Sequence, residues 1–170
     1  LYDLKHRPIS FLDAEGNTWS REYNEQGLVS KTTDAEGNVV QYFYNDVGLP
    51  QIIIDPNGDK QILAWNAKGQ LITRATGNEA QPVEPTHYRY DQQGNVATVE
   101  QGGRQTHYTH DQKGDVVAIH YPDGGRASLN YNASRQLTQY TDALGRTTRF
   151  QYDGLAQVVR RIDPNGQVLH

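Results

Sequence analysis

Aromatic and apolar positions return along the chain at a nearly fixed interval. A ring followed by Asp or Asn stands at Tyr2-Asp3, Tyr23-Asn24, Tyr44-Asn45, Trp65-Asn66, Tyr90-Asp91, His110-Asp111, Tyr131-Asn132 and Tyr152-Asp153, with steps of 21, 21, 21, 25, 20, 21 and 21 residues. Six residues beyond each ring is an apolar side chain: Pro8, Val29, Pro50, Leu71, Val96, Val116, Leu137 and Val158. Two registered columns at one period identify internal repeats that bury their surfaces against one another.

The segment Tyr23 to Tyr44 shows what one repeat predicts. Asn24-Glu25-Gln26-Gly27 is a turn, with Asx bonding the backbone two residues on and Gly supplying positive φ. Leu28 to Thr33 reads as a strand, Asp34-Ala35-Glu36-Gly37 as a second turn, and Val39 to Tyr44 as the returning strand. No segment shows helical period. The second turn recurs with Asp13, Asp34, Asp55, Asp142 and Asp163, followed three residues later by Gly16, Gly37, Gly58, Gly145 and Gly166. The prediction is an all-β antiparallel array of about eight hairpins spanning residues 1–170, with the apolar column on one buried face.

Three departures refine it. His6, Arg135 and Ala156 replace the first-turn Gly, so those turns change type or carry strain. Trp65 and His110 stand in the Tyr column and keep a flat amphipathic ring there. The insertion Gly77 to Pro85 reads as a surface excursion.

Composition adds exclusions. A formal charge of -4 with scattered Lys and Arg gives no footprint for nucleic acid or anionic membrane. The absence of cysteine removes disulfides and thiolate chemistry, and no apolar run approaches a membrane span. The chain lacks Met, opens one residue ahead of a Tyr-Asp pair and stops three residues short of the next expected ring, the expectation for a fragment of a longer repeat protein.

Tyr90-Asp91-Gln92-Gln93-Gly94-Asn95-Val96 and Asp142-Ala143-Leu144-Gly145-Arg146-Thr147-Thr148 carry a closer resemblance. Tyr-Asp-x-x-Gly-x-Leu/Val, a strand, Asp-Pro/Ala-x-Gly and a second strand together resemble the YD repeat of the Rhs family, found in bacterial Rhs polymorphic toxins, C components of insecticidal toxin complexes and teneurins. The resemblance covers essentially the whole chain. It implies a β ribbon forming part of a hollow shell around a C-terminal toxin domain, in a secreted bacterial protein. The implied partners are the remaining repeats and the enclosed domain. No self-cleavage motif and no non-repetitive toxin domain is found in these residues, so cargo and autoproteolysis are not assigned.

Candidate chemistry is sparse. His107, His110 and His120, with His87, invite a metal reading, but His107 and His110, three apart on one strand, face opposite sides, and His87 and His107 occupy equivalent strands about 9–10 Å apart, too far to share zinc. The Asp55-Pro56-Asn57-Gly58-Asp59 stretch lacks the later ligands of a calcium loop and meets Lys60 where oxygen is wanted. Gly102-Gly103 and Gly124-Gly125 are hairpin turns, since no helix follows them to cradle phosphate. No nucleophile, base and orienting group converge, so no catalytic residue, cofactor or metal is assigned. The alternative is a glycan- or protein-binding module using the ring column on a secreted or cell-surface protein, against the simpler expectation that the rings pack on neighbouring hairpins. Self-association through unpaired sheet edges is also expected.

Overall fold

Successive Asx-x-x-Gly turns cut the chain into short extended segments, each paired with its sequence neighbour. The computed structural model describes residues 1–78 and 84–169. The chain divides into two units, Leu1–Thr86 and His87–His170.

In the first unit, β1 (Ser10–Leu12), β2 (Thr18–Tyr23), β3 (Val29–Thr33), β4 (Val39–Tyr44), β5 (Pro50–Ile54), β6 (Lys60–Trp65) and β7 (Leu71–Gly77) lie side by side in sequence order. The second runs through β8 (Thr86–Tyr90), β9 (Val96–Gln101), β10 (Arg104–His110), β11 (Val116–His120), β12 (Arg126–Tyr131), β13 (Leu137–Thr141), β14 (Thr147–Tyr152), β15 (Val158–Ile162) and β16 (Val168–Leu169), again in sequence order. Pairing is antiparallel from β1 to β7 and from β9 to β16. Among the described residues there is no helix. The division falls beside the insertion, whose residues 79–83 lie outside the described residues.

Both turn types are built alike. Gly27 N donates to Asn24 O, Asn24 N to Leu28 O, and Asn24 Oδ1 accepts from Leu28 N at 2.9 Å. In the second turn Asp34 Oδ1 accepts from Glu36 N and Asn38 N, with Gly37 at φ 85°. Gly16, Gly58, Gly145 and Gly166 likewise take positive φ. His6, Arg135 and Ala156 keep the turn and accept φ of 60°, 63° and 65°, so the departures carry strain instead of changing its type.

A β-bulge recurs at the ring. Tyr23 pairs with Val29, Tyr44 with Pro50, Trp65 with Leu71, His110 with Val116, Tyr131 with Leu137 and Tyr152 with Val158, and at each the register slips by one residue. The skipped residue is the one after the apolar column, for example Ser30 between Val29 and Lys31. Two residues facing one bend the strand and increase its twist.

Burial is thin. The exposed surface is 11775 Å², more than the roughly 10,000 Å² that two compact domains of half this length would leave. Only Leu63, Ala118 and Ala127 are buried apolar residues among those described, with Thr98 beside them in exposure. The apolar column is therefore not the deepest part of the protein: Val29, Leu71, Val96, Val116 and Leu137 are half-buried, and Val158 is 51% exposed. Each side chain has its main neighbours across the adjoining strands, and the two most deeply buried apolar residues are small alanines flanked by longer side chains, Leu63 being the large exception.

Candidate functional site

The repeat ring is where sequence pattern becomes geometry. The hydroxyls of Tyr23, Tyr44, Tyr131 and Tyr152 donate to the carbonyl oxygens of Pro8, Val29, Val116 and Leu137 at 2.8, 2.7, 3.0 and 2.8 Å, and Trp65 Nε1 donates to Pro50 O at 2.7 Å. Each acceptor lies 15 residues back, the apolar column of the preceding repeat. The column thus has two uses: its side chain half-buries and its carbonyl ties down the next ring. Burial pushes the Tyr44, Tyr90 and Tyr131 hydroxyls up from their ordinary pKa.

The ring sites that depart from this pattern do so for local reasons. Tyr2 is 69% exposed and forms a bridge with Pro8 of its own repeat. His110 arrives after the 20-residue step, and its Nδ1 lies 3.6 Å from Asp91 Oδ2.

A second contact joins repeats one residue earlier in the motif. A Cβ on Gly48 would meet Leu28 Cδ1 at 3.4 Å, and one on Gly27 would meet Arg7 Nη1 at 3.3 Å. The residue before the column therefore lies over the turn glycine of the next repeat. Where Arg135 replaces that glycine, its guanidinium pairs with Asp115 of the preceding repeat, Nη2 to Oδ1 at 2.6 Å and Nε to Oδ1 at 3.0 Å. The hydrogen bond to Asp115 raises the Arg135 pKa. In the first repeat Arg7 bonds Asp3 Oδ2 through Nε and Nη2, each at 2.7 Å, and stacks 4.3 Å from the Tyr23 ring centroid.

The acidic residues occupy the turns. The backbone N–H of Arg7, Asp115 and Arg146 hold Asp3, Asp111 and Asp142 below the usual carboxylate range, and the Asn17 and Asn38 amides do the same for Asp13 and Asp34. Burial opposes the shift at Asp91, but hydrogen bonds from Asn95 still lower it. In the calcium-like stretch Asp55 Oδ1 accepts from Asn57 N and Asp59 N, an ordinary turn. Among the described residues no three His, Cys, Asp or Glu side chains gather to hold a metal. Gly102 and Gly103, at φ 56° and 72°, close a two-residue hairpin between Gln101 and Arg104.

Sequence reasoning missed two features. The ring-to-carbonyl bond was encoded in the difference between the repeat period and the column offset. His107 stands directly opposite His120 across β10 and β11, a pairing hidden when only equivalent strands are compared.

The sequence and fold also resemble known proteins. The family model described as RHS Repeat matches residues 2–39, 23–60, 90–126 and 131–168. The double-stranded DNA deaminase toxin A of Burkholderia cenocepacia (strain H111) is 27% identical over 116 residues, covering 66% of this chain and 8% of that protein. A Photorhabdus luminescens Tc holotoxin pore structure with a substituted TccC3 superposes with a TM-score of 0.68 at 12% identity, covering 95% of this chain and 12% of the other. The TcdB2-TccC3 crystal structure without its hypervariable C-terminal region gives 0.59 at 13% identity, covering 93% and 12%. The chain thus spans a small part of these relatives. Repeats matched over most of its length, with the hairpin array they predict, make this chain a member of the RHS repeat family.

Proposed function

We propose that this chain is a non-enzymatic wall segment of a secreted bacterial Rhs-type shell that encloses a C-terminal toxin or effector domain of the same polypeptide. The observation that carries the reading is the hydrogen bond from each of five rings to the preceding repeat, which supports a role for these rings in cohesion of the array. The turn Asp and Gly residues and these five rings are accounted for by turn geometry and by bonds between repeats. The toxin relatives support the context, since each is much longer than this chain. Five of the rings make a poor glycan platform, because their polar atoms are already bound to backbone carbonyls and the rings are half-buried.

Limited proteolysis of the full-length protein, read by mass spectrometry, tests the reading. The C-terminal domain is expected to stay uncut until denaturant opens the repeat region. A C-terminal domain cleaved as fast in the full-length protein as when produced alone would refute it.

A further inference from the structure

We propose that His107 and His120 form a two-histidine site for a late divalent transition metal, with Cu2+ the best fit. Both belong to the second unit and are Cα partners on adjacent antiparallel strands. Residues directly opposite in such a pair project from the same face with Cβ atoms about 4.5–5.5 Å apart, so two imidazoles there can reach one ion. Both residues are exposed, which leaves room for the ion and its waters.

The row continues on both sides. Thr98, the Cα partner of His107 on β9, is 8% exposed, and its Oγ1 lies 3.1 Å from His107 Nδ1. When Nδ1–H donates to that hydroxyl oxygen, the neutral ring carries its lone pair at Nε2, free to bind metal. A buried partner fixing one imidazole nitrogen is the support that metal-binding histidines ordinarily have. Among the described residues the His120 ring makes no hydrogen bond or ion pair, so its lone pair is also available.

The same row selects the metal. No third His, Cys, Asp or Glu among the described residues completes the set, so water fills the remaining positions. Arg126, the partner of His120 on β12, adds a positive charge. A site with two neutral nitrogens beside a cation holds the metal with the strongest imidazole bond, and Cu2+ heads the divalent first-row order. Ca2+ and Mg2+, which need oxygen ligands, are excluded.

Titration of the 170-residue chain with Cu2+ in a non-coordinating buffer, followed by calorimetry and electron paramagnetic resonance, tests the site. The expected result is one equivalent bound with nitrogen hyperfine structure from two imidazoles. His107→Ala or His120→Ala should each abolish the two-nitrogen signal without changing the strand signal in circular dichroism, because both side chains are exposed. Thr98→Val should weaken binding about ten-fold while retaining both ligands. A two-imidazole Cu2+ signal that survives in both alanine variants, or the lack of such a signal in the parent, would overturn the proposal. An unchanged affinity in Thr98→Val would overturn the positioning role of Thr98.

Discussion

Replacing Tyr44 with phenylalanine removes one atom and tests the repeat-to-repeat bond directly. The hydroxyl donates to Val29 O at 2.7 Å, and both residues are half-buried. A net intramolecular hydrogen bond contributes about 0.5–1.5 kcal/mol, and an acceptor left dry costs more. Half-burial of both residues puts the expected loss near 1 kcal/mol. For a cooperative chain of this length that lowers Tm by roughly 2–4 °C, or by 4–8 °C if the first unit melts alone. Tyr2 supplies the control, because it is 69% exposed and its hydroxyl holds no described carbonyl. Tyr2→Phe should stay within about 0.5 kcal/mol of the parent. Urea denaturation of the three proteins side by side measures both differences. Equal stabilities for Tyr44→Phe and parent, or equal losses at Tyr44 and Tyr2, would refute the role given to the ring column.

Further tests address the turns and the packing. Asp3, Asp13, Asp34, Asp91, Asp111 and Asp142 have folded pKa values below the ordinary 3.8, so their stabilisation is complete above that value and is lost as pH falls through the lowered ones. Thermal melts from about pH 5 to pH 2 should therefore show a steep fall below pH 4, and a flat profile would contradict it. Gly37→Ala should lose about 1–2 kcal/mol from the positive φ alone, because no atom lies within 4 Å of the added methyl, whereas Ala156→Gly should be neutral or stabilising. Denaturant midpoints moving the other way would count against the strain assigned to φ. Ala127→Leu should lose about 1–3 kcal/mol by overpacking a fully buried position, and a variant as stable as the parent would show that the site has slack.

Much of the fold was legible because turn chemistry is local. Asn24 to Gly27 and Asp34 to Gly37 specify their turns through their own side chains, so strand boundaries followed with no knowledge of the rest. Burial was less legible: Val96 and Ala127 look alike in a pattern of apolar positions, yet Ala127 is sealed and Val96 is not, because burial in this sheet depends on the length of flanking side chains. The bulge was invisible because Ser30, Gln51 and Ile72 share no side-chain property that marks an unpaired residue. His107 and His120 were likewise separated by different offsets from their rings, and only the register across β10 and β11 brought them together.

The direction of the ring bond has a consequence for how such a chain comes to be folded. Each of the five bonded rings reaches back 15 residues, so its partner has already left the ribosome when the ring emerges. Growth from the amino end can therefore fasten each new hairpin to a finished one, with every loop closure short and the closing entropy correspondingly small. Renaturation from the carboxyl end meets rings whose acceptors are still unformed. A chain of this design is assembled most readily in the order in which it is synthesised, and vectorial delivery that releases its amino end first would let it rebuild by the same succession of steps.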